Sequence, residues 1–193
     1  TVGLYGGGSD FYTLKGMVEL LLERLHVRGW DIRPVKNHPT FHPGRCAELL
    51  KDGRQIGLLG EVHPSVLENY SIGAKAYLAK LDVQALFAGA DFQIEYKATP
   101  RYPASTRDLS LLCDEELPII EIEKVIRASA GNCLEDVKLF DVYKGEQVAE
   151  SQKSVSYSLV MRSPNGTMTD GEADAAVKRV LKALEKINVF LRV

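Results

Sequence analysis

The chain has 193 residues, 24 Lys and Arg against 26 Asp and Glu, a formal net charge of −2, and 45% apolar residues. This near-neutrality excludes a polybasic grip on nucleic acid or a membrane surface, and the apolar share fits one domain or two of about 100 residues each rather than a disordered chain. The three cysteines, Cys46, Cys113 and Cys133, are far apart with no C-x-x-C pair, so neither a disulfide framework nor a zinc knuckle is expected, and a reducing, cytoplasmic compartment is. No apolar run reaches the ~18 residues of a membrane span. The first residue is Thr1 rather than Met, and the expectation is a piece cut from a longer protein.

Asp10 is positioned to cap a helix over residues 11–26, whose apolar positions Leu14, Met17, Val18, Leu21, Leu22 and Leu25 recur at helical spacing. Residues 30–36 read as extended. The runs 45–50 and 54–62 flank Asp52-Gly53, a dipeptide suited to the positive φ angles of a tight turn, and so predict a hairpin. Pro64 opens a short helix to Tyr70, and a strand follows over 75–82. The first part, residues 1–98, is therefore antiparallel α+β. Pro100 and Pro103 stiffen the stretch after it, which places a domain boundary near residue 98.

In the second part, residues 99–193, a strand over 107–113 precedes a helix opened by Pro118 and ended by Gly131, with Ile119, Ile122, Val125 and Ile126 on one face. Strands over 134–143 and 153–162 come next. Thr169 and Glu172 then form a capping box for a helix over 170–186, and residues 189–193 close as a strand. The order β-α-β-β-α-β is that of the ferredoxin-like plait, a four-stranded antiparallel sheet with both helices on one face. Side-chain alternation assigns Phe140, Val142, Val155, Tyr157, Leu159 and Met161 to the helix-covered core, with Leu139 on the side of Asp141 and Tyr143. Asp141, Tyr143, Ser154, Ser156 and Ser158 are left on the open face, an aromatic ring beside hydrogen-bonding groups of the kind that stacks and reads an unpaired base.

Other clusters carry less. His38, His42, His63 and Glu61 suggest a metal, but Pro39 and Pro43 prevent the histidines from sharing a helix face, and no metal site is expected. Gly6-Gly7-Gly8 reads as a loop with no strand before it and no Lys-Ser/Thr after it, which argues against a phosphate cradle. Ser154 has no histidine nearby in sequence and reads as a hydrogen-bonding residue rather than a nucleophile. No catalytic residue is assigned. Arg107-Asp108 reads as structural, tying the linker to the sheet. Tyr143 also admits a plain cross-strand packing role, and Asp141 an ion pair with Lys144 or Lys153.

Tyr102-Pro103-Ala104-Ser105-x-Arg107-Asp108-Leu109, Phe140-Asp141-Val142-Tyr143-Lys144-Gly145, Lys153-Ser154, Thr167-Met168-Thr169-Asp170 and the closing Leu191-Arg192 occur in order and in register. Together they resemble the ferredoxin-fold anticodon-binding domain of bacterial phenylalanyl-tRNA synthetase beta subunits. Asp10-Phe11-Tyr12-x-Leu14-Lys15-Gly16, Phe41-His42-Pro43-Gly44-Arg45 and the run from Ile56 to Pro64 are similar to the end of the class II synthetase-like module that precedes that domain. The resemblance implies that this module has lost its chemistry, and residues 57–70 indeed contain no Arg or Lys for ATP phosphates.

The resemblance further implies that Asp141, Tyr143 and Ser154 hold the first anticodon base. A guanine there would stack on Tyr143, donate its N1 and N2 hydrogens to Asp141, and meet the Ser154 hydroxyl. Lys144, Lys153, Arg162 and Arg101 are the expected phosphate contacts. For the intact enzyme the resemblance implies an alpha subunit that activates phenylalanine with ATP and magnesium, an alpha2-beta2 heterotetramer in the cytoplasm, and tRNA as partner. No DNA or membrane partner is expected, and the fragment alone is expected to need no cofactor and to be inactive. Two other functions compete: a small-molecule regulatory module and a purely structural one. The acidic, stiff Asp114-Glu115-Glu116-Leu117-Pro118 argues against the former, which would place a Gly-rich loop after its first strand.

Overall fold

The computed structural model describes residues 1–93, 96 and 98–192, and the chain divides into two compact units, residues 1–96 and 97–193. The first contains β1 (Val2–Tyr5), α1 (Phe11–Arg24), β2 (Trp30–Pro34), β3 (Phe41–Lys51), β4 (Arg54–Val62), α2 (Pro64–Asn69), β5 (Ala76–Leu81) and α3 (Val83–Gly89). Its strands form one antiparallel sheet in the order β1-β5-β4-β3-β2. The expected hairpin is β3-β4, turned by Asp52 and Gly53 at φ of 51° and 77°. The Asp10 carboxylate caps α1 by accepting the Thr13 N–H at 2.7 Å.

Leu14, Val18 and Leu22 of α1 pack on Leu49, Leu59, Tyr77 and Ala79 of the sheet. Met17 and Leu21, expected inward with them, are instead 47% and 36% exposed, because the helix's apolar arc is wider than the face it turns to the sheet. Sequence reading also missed β1 and α3. β1 is only four residues long and pairs with β5 alone, too short for a period to register. Its presence corrects the expectation that no strand precedes Gly6-Gly7-Gly8. The N-terminus of α1 nevertheless already holds an anion, the Asp10 carboxylate.

The second unit runs β6 (Ser105–Asp114), α4 (Ile119–Ala130), β7 (Leu134–Tyr143), β8 (Gln152–Met161), α5 (Asp170–Leu184), a 3-10 turn (Glu185–Ile187) and β9 (Phe190–Leu191). This is the expected β-α-β-β-α-β order. The sheet is antiparallel in the order β7-β8-β6-β9. Ile122, Ile126 and Ala130 of α4 and Ala173, Ala176, Val180 and Leu184 of α5 bury one face with Leu109, Leu111, Cys113, Val155, Tyr157, Leu159 and Met161. Thr169 and Glu172 form the full capping box of α5. Arg107 ties β6 to α5 through Asp170 at 2.7 Å and Asp174 at 3.1 Å, a structural clamp.

Strand β7 departs from strict alternation. Leu139 pairs with Tyr157 but Asp141 pairs with Ser156, so Phe140 is an extra residue in a bulge. The bulge corrects the expected facing: Leu139 packs against the helix-side core, while Phe140 lies 54% exposed. Val142 pairs with buried Val155 and so points to the helix side as expected, yet it is 44% exposed near the end of the sheet.

Candidate nucleic-acid interface

Registers across the sheet set the residues of the helix-free face in rows. One row is Tyr143, Ser154, Leu112 and Phe190; the next is Asp141, Ser156 and Ser110, where the Arg192 N–H donates to the Ser110 carbonyl at 2.8 Å. The three expected base-contacting residues, Asp141, Tyr143 and Ser154, are therefore immediate neighbours on one corner of one face. Asp141 is exposed, and its carboxylate makes no hydrogen bond or ion pair among the described residues. Neither of the alternative partners reaches it, since Lys144 pairs with Glu115 and Lys153 is engaged elsewhere.

Ser154 and Ser156 are not open to solvent as expected: they are 2% and 7% exposed. Serines are short beside the taller side chains around them, and Arg192 roofs Ser154. From the end of β9 its guanidinium donates to Ser154 Oγ at 3.4 Å and to Gln147 Oε1 at 2.8 Å. The guanidinium carbon also stands 5.6 Å from the centre of the Tyr143 ring, within cation–π range. In the sequence Arg192 stands out only as part of the closing Leu191-Arg192 motif, with no role attached. It sits 38 residues from Ser154 along the chain, and only the β6-β9 pairing brings it to this corner. Ser156 Oγ meets Ser110 Oγ at 3.1 Å, extending a polar floor toward β6.

Gly145 backs the ring. A Cβ at that position would lie 2.4 Å from Tyr143 Oη and 2.7 Å from Cζ, so the phenol rests where only glycine leaves room.

The expected phosphate cations are scattered. Lys153 lies on the helix-covered side of β8, 8% exposed, and its Nζ donates to the Glu115 and Leu117 carbonyls at 2.8 and 2.7 Å. That corrects its assignment, because an ammonium held by two carbonyls on the opposite side of the sheet is not presented to a ligand on the helix-free face. Lys144 is exposed and paired with Glu115. Arg162 holds Glu135 at 2.7 Å and the Tyr102 carbonyl, at the other end of β8, about 26 Å of strand from Ser154. Arg101 is exposed in the stretch leading to β6.

The remaining clusters do not converge. His38, His42 and His63 each accept a nearby backbone N–H, from Thr40, Gly44 and Ser65 at 3.1 to 3.2 Å. Glu61, buried, pairs with Arg45 at 2.7 Å. Among the described residues no group of three or more His, Cys, Asp or Glu gathers to hold a metal ion. Burial pushes the Cys46 thiol up to about 11 and raises that of Cys113, so neither is poised as a thiolate. No described helix is long and apolar enough to cross a membrane.

Two family models match the chain: "Ferredoxin-fold anticodon binding domain" over residues 100–192 and "Phenylalanyl tRNA synthetase beta chain CLM domain" over residues 4–83. Among curated proteins, the phenylalanine–tRNA ligase beta subunit of Clostridium tetani is 46% identical over 184 residues, covering 95% of this chain and 23% of the relative. The Bacillus subtilis beta subunit is 40% identical over 176 residues, 91% of this chain and 22% of the relative. The chain thus spans under a quarter of the length of these relatives. With both units matched in order by models of that family, the chain belongs to the family of phenylalanine–tRNA ligase beta subunits.

Proposed function

We propose that the second unit recognises the anticodon of the tRNA that accepts phenylalanine, as part of a phenylalanine–tRNA ligase. The observation that carries this reading is the corner where an exposed Asp141 carboxylate, unpartnered among the described residues, stands beside the Tyr143 ring and the Ser154 hydroxyl. A carboxylate accepts only, which suits guanine N1–H and N2–H, and the Arg192 guanidinium, set over Ser154 and the Tyr143 ring, is a donor for the guanine O6. Stacking on the ring contributes ~1 to 3 kcal/mol. Of the four expected phosphate contacts, Arg101 and Lys144 are the exposed ones left, Lys144 by exchanging Glu115 for the backbone.

The rest of the ligase supplies the chemistry: an alpha subunit using ATP and magnesium, with two alpha and two beta chains in a cytoplasmic assembly. This chain itself turns over no ATP. The test is the intact ligase carrying Asp141→Ala with Tyr143→Ala. The expected result is a tRNA KM raised about tenfold or more with phenylalanine-dependent pyrophosphate exchange unchanged, since each base contact is worth about 1 to 3 kcal/mol. An unchanged tRNA KM in the folded double variant would reject the reading.

A further inference from the structure

We infer that Phe190 is a second base-stacking platform, which takes an unpaired nucleotide near the one on Tyr143 in the same single-stranded loop. The inference rests on the anticodon reading of this face and extends it to a second base.

Phe190 pairs with Leu112, Leu112 with Ser154 and Ser154 with Tyr143, so all four side chains leave the sheet on the helix-free side. Strand spacing puts the backbones of Phe190 and Tyr143 three steps apart, about 14 Å, with half-buried Leu112 as an apolar floor between them. Phe190 is 50% exposed, whereas Val189 before it is 1% exposed in the core. The two-residue strand β9 thus anchors itself through Val189 and holds a phenyl ring out over the same face as Asp141. The side chain of Arg192 crosses this face from β9 to Tyr143, so a cation lies on the path of the backbone that joins two bases so placed.

The occupant is a nucleotide because the patch is continuous with the proposed base site and its rim is polar: Asp141, Ser110, Gln147 and Arg192 leave no broad apolar surface for a protein partner. A four-stranded sheet whose exposed aromatics each carry one base is an established solution for single-stranded RNA, and stacking places no demand on base identity. Phe190 therefore adds grip, and Asp141 with the Arg192 guanidinium over Ser154 adds selectivity.

The test is a set of titrations at low ionic strength. The 193-residue chain and its Phe190→Ala, Phe190→Trp and Tyr143→Ala variants are titrated with phenylalanine-accepting tRNA transcripts made abasic at one anticodon-loop position at a time. Phe190 is half exposed, so the variants are expected to melt with the parent. Phe190→Ala should weaken binding about fivefold to a hundredfold, Phe190→Trp should hold it, and the loss should vanish for one abasic position other than the one that silences Tyr143→Ala. Unchanged binding in Phe190→Ala, with Tyr143→Ala impaired, overturns the second platform and leaves the first site standing. A loss that persists at every abasic position overturns it also, by making Phe190 a structural residue. Indifference to both Phe190→Ala and Tyr143→Ala rejects the anticodon reading itself.

Discussion

At Gly145 one added methyl group would meet the ring proposed to stack the base. The nearest atoms to a Cβ there are Tyr143 Oη and Cζ, both under 3 Å, and they belong to a side chain that can turn away. Gly145→Ala is therefore expected to re-aim Tyr143 at little cost to the fold: tRNA affinity falls severalfold while the thermal midpoint stays within a few degrees. A calorimetric melt beside a tRNA titration checks this, and an unchanged affinity would mean that the ring is not held from behind. Residue chemistry at the site was legible from the sequence where a motif placed it. Asp141 and Tyr143 could be assigned to a face by alternation and likeness. Lys153 could not, because a lysine reads as a surface cation until the strand's parity and the carbonyls of residues 115 and 117 around its ammonium are known.

The bulge in β7 shows how an element can redirect a correct rule. Strict alternation puts Leu139 with Asp141 and Tyr143; the extra Phe140 separates them, so Leu139 reaches the core while the acidic and aromatic residues still face away from the helices. Nothing in the composition of Leu-Phe-Asp-Val-Tyr marks where the extra residue falls. Two deletions differ sharply as a result. Removing Phe140 leaves Leu139 opposite Tyr157 and Asp141 opposite Ser156, and should preserve tRNA binding to within severalfold. Removing Val142 brings Tyr143 opposite Val155 and turns it toward the helices, and should abolish the stacking site; backbone amide exchange along β8 would show whether the register held. Helices were more legible, because their stop and start signals are local. The Glu172 carboxyl, accepting from the Thr169 N–H at 2.8 Å and from its hydroxyl, is held below the usual carboxylate range. A carboxyl depressed on folding stabilises the native state above its ordinary value of 4.5 and ceases to do so as pH falls through the folded value. Glu172→Gln should thus lower the melting temperature near neutral pH, and the gap to the parent should close in acid. A constant gap from pH 7 to pH 3 would show that the charge contributes nothing.

Over the whole chain, the balance of charge decides how tRNA can be held. The net charge is −2, and the helix-free face sets Asp108, Asp114, Asp136 and Asp141 against Lys138 and Arg192, as the registers of β6 and β7 with β8 and the Arg192 N–H bond to the Ser110 carbonyl show. Such a face cannot gather tRNA by long-range attraction, and on the proposed reading its affinity comes from short contacts to bases already unpaired. Counterion release then measures the division of labour, because the salt dependence of binding counts phosphates and ignores stacking. With Arg101 and Lys144 engaged on phosphates, the logarithm of the association constant of this chain for tRNA should fall against the logarithm of salt with a slope of about −1.5. Lys144→Ala should flatten that slope by about 0.7, whereas Tyr143→Ala should lower affinity at every salt concentration and leave the slope unchanged. A slope near −5 would require a phosphate grip that this face does not carry, and would move the interface to another part of the surface.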